Sequence, residues 1–425
     1  MTSRVAHRHA HRFAHRYARA LRGAAAIVGV AGTLLLGSCA SLFSDAAGYF
    51  DDRVVGSLDI TDSGRFDGFT VLDDVVDRYD VFLAGEAHGV AENTDYAFKL
   101  FQYLYSTSGV RTYVAEIGFA AGERLNAYVQ GAGDDADLIA IIDASRGTYA
   151  WTREWVSFWR RLRAWNSNLD PGERVRVIGI DVEHQYQIGF EFVRDLLPAG
   201  DPPAAIAEVV GDLRGWSTAG GAEASRDLAE RALEHIVDHQ SDWTAFVGTE
   251  VDRVEVAVRS IVRRFDFYAD PRSAESREAA IYRTFVDVYE RLLDPDERRF
   301  FGLWGSVHVP TAAVNGFEWI GARLQRGAES PVRGRVFSIV PYYDRSIAMR
   351  TFPYRTEPLT SDRMIVRLFA PYARSIATLF YLDGDGSPFR ATPALSPDGR
   401  VPTTDVYQAA VLFTHARAST PIGGY

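Results

Sequence analysis

A glutamate and a histidine two residues apart, Glu86 and His88, lie in Gly85-Glu86-Ala87-His88-Gly89, directly after the apolar run Val81-Phe82-Leu83-Ala84. An imidazole with an ordinary pKa near 6.5 is the natural general base at neutral pH, and a carboxylate beside it both orients it and stabilises its protonated form. Three other apolar runs end in groups of the same kind: Val114-Ala115-Glu116, Ile178-Gly179-Ile180-Asp181 and Trp304-Gly305-Ser306-Val307-His308. Ligands in open α/β sheets bind outside the carboxyl ends of the strands. If these runs are parallel neighbours, Glu86, His88, Glu116, Asp181 and His308 therefore converge on one rim as candidate catalytic residues. Such a set could activate water with no serine or cysteine nucleophile. It could also hold a divalent metal, because neutral imidazole and carboxylate oxygens suit Zn, Mn or Fe. No cofactor is expected, with a divalent metal as the alternative. His184, three residues after Asp181, and Trp304 and Ser306 at the last strand end are candidate substrate contacts.

The elements that must position these groups are readable as apolar runs of strand length. They recur at 81–84, 110–115, 175–180, 300–304, 336–340, 376–381 and 409–413, and helical patterns separate most of them. Residues 97, 100, 101, 104 and 105 keep helical spacing, as do Trp151, Trp155, Phe158, Trp159 and Leu162, a row that reads as core. Strands alternating with helices predict an α/β fold with a largely parallel central sheet flanked by helices. From about 198 to 296 the strand signals vanish, and an all-helical insertion is expected there.

The first 38 residues have the layout of an export signal: six arginines (Arg4, Arg8, Arg12, Arg16, Arg19, Arg22) and no acid precede the apolar stretch 24–36. Leu36-Gly37-Ser38-Cys39 resembles the lipobox of bacterial lipoproteins, which makes Cys39, the single cysteine, the expected lipidation site. Residues 39–60 then read as the lipidated cysteine and a tether, and 61–425 as the domain. This predicts an extracytoplasmic, lipid-anchored protein of the cell envelope, in contact with the membrane through its N-terminal lipid. The formal charge of −10 becomes more acidic still without the leader arginines. With no basic stripe downstream, nucleic acid is not expected as a partner; a small-molecule substrate is.

Other motifs carry less. His235 and His239 stand four apart on a helical stretch without the H-E-x-x-H order of a zinc site. Gly215-Trp216-Ser217-Thr218-Ala219 lacks the preceding strand of a nucleophile elbow. Asp383-Gly384-Asp385-Gly386 begins like a calcium loop, but Ala394 stands where the bidentate glutamate belongs.

With these residues in order, the chain resembles the erythromycin esterase-like superfamily. The resemblance rests on Gly85 to Gly89, Glu116 at the next strand end, Leu125-Asn126-Ala127-Tyr128 followed by Gly131, the 151–166 helix, Ile178 to Asp181, Arg277-Glu278 and the 304–309 strand end. It implies the erythromycin esterase-like fold and hydrolysis of an ester, lactone or related acyl bond. His88 would be the base, Glu86 and Glu116 its partners, and His308 a second imidazole for the tetrahedral intermediate or leaving oxygen. The chain departs from the antibiotic-hydrolysing members in having Ser306-Val307-His308 for a His-Asn-x-His arrangement, and Lys99 where they carry an arginine on the helix after the first motif. Lys99 thereby joins the candidate substrate contacts. Two alternatives stay open: a metal-dependent hydrolase or peptidase at the same site, and a non-enzymatic haem- or metal-binding lipoprotein.

Overall fold

The computed structural model describes residues 35–425 except 52, 62, 271 and 272. Ten strands follow in chain order: β1 (Val55–Leu58), β2 (Val81–Glu86), β3 (Thr112–Gly118), β4 (Arg176–Asp181), β5 (Phe300–Gly305), β6 (Val336–Asp344), β7 (Ser346–Arg350), β8 (Arg355–Leu359), β9 (Ala377–Tyr381) and β10 (Ala409–Thr414). Eight of them form one sheet in the order β1-β9-β10-β6-β2-β5-β3-β4, and β7 and β8 pair apart as a hairpin. β10, β6, β2, β5, β3 and β4 are parallel, while β9 runs antiparallel to β1 and β10. Every residue of β2, β5 and β6 is buried. That is why these strands read as continuous apolar runs: helices cover both faces of a parallel sheet.

β2 lies at the centre, with β5 and then β3 on one side. The register sets Glu86 opposite Gly305, so the ends of β2 and β5 are level. The strand ends flagged in the sequence are therefore neighbours on one rim. β1 and the β7–β8 hairpin were not expected. β1 has only four residues, and β8 is exposed or half-buried throughout, which removes the apolar signal.

The tryptophan row lies on the helix Arg153–Asn166, whose start is fixed by the Thr152 hydroxyl accepting from Trp155 N at 3.3 Å. Phe158, Trp159 and Leu162 are buried from it. Between β4 and β5 the described residues form helices, among them Gly221–Asp238, Val251–Ala269 and Ala274–Arg291. Val254, Ala257, Val258, Ile261 and Phe265 make a buried stripe at helical spacing along Val251–Ala269. That helix packs on Gly221–Asp238, on Ala274–Arg291 and on Tyr186–Leu196 after β4. Truncating Ile261 to alanine at its centre would cost about 2–5 kcal/mol.

The signal read in 1–38 falls mostly outside the described residues. The backbone from Leu35 to Tyr49 is helical, and nothing is described of the Cys39 side chain. The segment read as a tether over 39–60 is not free chain along its whole length. Ala46, Tyr49 and Phe50 are buried, the Tyr49 hydroxyl donates to Tyr381 O at 3.0 Å, and β1 joins the sheet edge. No described helix is long and apolar enough to cross a membrane.

Candidate active site

The turn after β2 is held from several directions. Gly89 has φ +87°, and a β-carbon on it would lie 2.4 Å from Met349 O, so this position requires glycine. Met349 N and Ser419 N both donate to Gly89 O, at 2.7 and 2.9 Å. Arg417 grips Glu92 through its backbone N–H and its Nε, each at 2.7 Å. Thr420 O accepts from Arg153 N, which ties the same C-terminal segment to the tryptophan helix.

Within this frame His88 Nδ1 lies 2.8 Å from Glu86 Oε1. Asn93 Nδ2 donates to Glu86 Oε2 at 3.0 Å, and the Tyr343 hydroxyl donates to Asn93 Oδ1 at 2.9 Å, so the carboxylate itself is oriented. A carboxylate at Nδ1 puts the N–H of neutral His88 there and leaves the Nε2 lone pair free. The ring stacks on Tyr149 at 5.2 Å between centroids, and its side chain is 39% exposed. Burial favours the neutral form of His88, but the Glu86 hydrogen bond and the charges of Glu86 and Glu116 outweigh it and push the pKa up to about 9.

A second cluster is built around Arg277, from the helix Ala274–Arg291. Its guanidinium donates to Asp181 Oδ1 from Nε at 3.0 Å, to Asp181 Oδ2 from Nη2 at 2.6 Å, and to Glu116 Oε1 from Nη2 at 3.1 Å. The other oxygen of Glu116 accepts from Gly305 N at 2.8 Å. Burial raises the Asp181 pKa on its own, yet the adjacent Arg277 charge and the His184 contact hold it well below the usual range. Glu116 is likewise lowered against its burial, by His308, His88 and Arg277. Burial also pushes the Glu183 carboxyl up to about 7, although Ala120 N–H donates to it at 2.5 Å.

Glu86, His88, Glu116, Asp181, His184 and Arg277 line one cleft of about 270 Å³. The strand ends thus meet as expected, but not all candidates reach this space. His308 is 3% exposed, behind the rim, with Nδ1 2.9 Å from Glu278 Oε1 and Nε2 3.4 Å from both Glu116 Oε1 and Arg277 Nη1. It touches the cleft residues and not the cleft. Lys99 is buried elsewhere: it donates to Ser63 O and lies over the Phe66 ring, because its helix turns that face away from the rim. Trp304 is core, 1% exposed, with Nε1 donating to Val114 O at 3.0 Å. Ser306 is spent on the backbone, its hydroxyl donating to Glu86 O at 2.8 Å. His184 does face the cleft, with Nδ1 2.8 Å from the Tyr268 hydroxyl. Arg277 was noted in the sequence without a place at the site, and Tyr149 and Asn93 were missed; no strand-end signal marks them. Among the described residues no three His, Cys, Asp or Glu side chains converge as metal ligands. The carboxylates of Glu116 and Asp181 converge on a guanidinium instead.

Residues 106–305 match the family model described as erythromycin esterase. That span holds Glu116, Asp181, Arg277 and Gly305; Glu86 and His88 precede it. Among solved structures, a succinoglycan biosynthesis protein is 14% identical, with 92% of this chain and 99% of that one covered and a TM-score of 0.66. A Bacillus cereus protein is also 14% identical, covering 89% and 98% at a TM-score of 0.68. A mutant of the erythromycin esterase EreC in its open conformation is 14% identical, covering 83% and 94% at 0.57. At such identity these likenesses are of fold alone. No curated protein matches the chain. Residues 106–305 thus resemble the erythromycin esterase family in sequence, and most of the chain resembles that esterase in fold.

Proposed function

We propose that this protein is a hydrolase that opens an ester or lactone with water activated by His88. The observation that carries the reading is the Glu86–His88 pair: Nδ1 is tied to a carboxylate at 2.8 Å while the far side of the ring faces the cleft. Neutral His88 takes a proton from water at Nε2 as the water oxygen adds to the carbonyl carbon. The imidazolium so formed returns the proton to the leaving alkoxide as the intermediate collapses, so one histidine serves as base and then acid. The Arg277 guanidinium supplies fixed positive charge beside the carbonyl oxygen, where negative charge develops. Glu116 fixes Arg277 and stabilises the imidazolium. His308, held by Glu278, is a positioning residue for Glu116 and Arg277. The guanidinium standing between Glu116 and Asp181 supports this reading over a metal-dependent one, since it holds the place a cation would take between two carboxylates.

The test is a library of esters and lactones with the wild type and His88→Ala. Turnover by the wild type, lost by at least a hundredfold in the variant at unchanged Tm, is expected. Undiminished turnover by the variant would overturn the role of His88.

The envelope location belongs to the same reading: residues 1–38 direct export and Cys39 carries the lipid, as the Leu36-Gly37-Ser38-Cys39 sequence supports. Mass spectrometry of the protein extracted from membranes should find Cys39 acylated at the N-terminus of the mature chain; an unmodified Cys39 would refute the anchor.

A further inference from the structure

The cleft has two unlike parts. The rim holds the charged groups, whereas Ile117, within the irregular end of β3, and then Ala115 and Tyr113 on one face of that strand lead away from it into the molecule. Burial deepens along this row: Ile117 is half-buried, Ala115 is 4% exposed and Tyr113 is fully buried. From Glu116 at the rim to Tyr113 is three residues, roughly 10 Å along a strand. The facing walls are apolar and come from three helices, through Leu125, Ile142 and Trp159. At the floor the Tyr113 hydroxyl approaches the Leu303 backbone but completes no hydrogen bond within the protein.

Resting on the hydrolase reading above, we propose that this lobe holds the acyl chain of the substrate, an unbranched apolar chain of about six to nine carbons. The carbonyl carbon lies between His88 and Arg277, the chain runs along Ala115, and its end meets Tyr113. The size follows from the depth: the roughly 10 Å along the strand from Glu116 to Tyr113 accommodates an extended chain of about six to nine carbons. The composition follows from Ala115, Leu125, Ile142 and Trp159, which give the chain apolar walls, with the Tyr113 hydroxyl as the polar group at its far end. Ala115 is the residue that keeps the lobe open, since a larger side chain there would project into the slot.

The experiment measures kcat/KM on p-nitrophenyl esters from acetyl to dodecanoyl, with Ala115→Leu and Ile142→Ala beside the wild type. In the wild type kcat/KM rises by up to about fourfold per methylene to a maximum at hexanoyl to nonanoyl, then falls. Ala115→Leu moves the maximum to shorter chains and Ile142→Ala to longer ones. Hydrolysis with no dependence on chain length, or the same maximum in all three proteins, overturns the lobe while leaving the hydrolase standing. If no ester is cleaved, the hydrolase reading fails, and calorimetry of ethanol, hexanol and octanol binding judges the lobe. Octanol binding that Ala115→Leu weakens at least tenfold upholds an apolar-chain site; no octanol binding by the wild type overturns it.

Discussion

The imidazole of His88 occupies the space that a side chain on Gly305 would need: a β-carbon there would lie 3.1 Å from Nε2 and 3.3 Å from Cε1. Glu86 and Gly305 are partners in the β2–β5 register, so the bare Gly305 gives the His88 ring its place beside that strand end, and a methyl there would make the ring give by a few tenths of an ångström. Gly305→Ala should therefore leave the fold intact but push the His88 ring off its position. A misplacement of about an ångström at a reacting group costs about a hundredfold, and for this smaller shift we expect kcat to fall about three- to tenfold. Steady-state kinetics and a melting curve check this; full activity in the variant would show that the ring position is not critical.

Activity should depend on pH through His88. With its pKa pushed up to about 9, the free base that accepts the proton from water grows as pH rises. The expected kcat/KM increases tenfold per pH unit below about 9 and levels above it. Stability runs the other way. A histidine whose folded pKa exceeds its unfolded value of about 6.5 contributes fully below 6.5, and the contribution is lost as pH rises through about 9. Glu86→Gln removes the main attraction for the proton and should move the kinetic limb toward lower pH, with a lower plateau because the ring is less firmly oriented. A limb that stays in place in that variant would assign it to another group.

Arg277→Met would leave Asp181 and Glu116 facing each other without a cation. Removing one partner of a buried ion pair costs about 3–5 kcal/mol, and Asp181 is 2% exposed. Urea denaturation near pH 7 should show a loss of that size. Adding Asp181→Asn to Arg277→Met should recover part of it, since residues in one network are not additive.

Glu183 gives a pH effect of opposite origin. Its carboxyl titrates at about 7 in the folded chain against 4.5 as an ordinary glutamate. The folded state thus binds more protons between those values, and stability falls as pH rises from 4.5 to 7. Glu183→Gln keeps an oxygen for the Ala120 N–H and removes the buried charge. It should stabilise the protein by roughly 1–3 kcal/mol at pH 8 and by little at pH 4.5. Thermal melts at the two pH values separate this from a gain in packing, which would be equal at both.

The strand ends were legible because a parallel sheet covered on both faces forces uninterrupted apolar runs, and a glycine, acid or histidine then marks where each run leaves the core. That logic located Glu86, His88, Glu116 and Asp181. It misplaced Trp304 and Lys99, because it fixes neither which side of a strand faces the cleft nor the rotation of a helix about its axis. Trp304 turns back under β3, and Lys99 faces the 63–66 segment. It assigned no place to Arg277, which reaches the rim from a helix 96 residues from Asp181 in sequence and owes its position to how that helix docks.

The grip of Arg417, Ser419 and Thr420 on the His88 turn and on the tryptophan helix bears on the order of assembly. The Glu92–Arg417 contact spans 325 residues of sequence, and contacts of such separation form late because a long loop must close first. During synthesis the sheet from β2 to β5 can form with its pocket outlined before the segment that clamps the His88 turn has been made. The clamp on the His88 turn is thus completed only when the end of the chain docks.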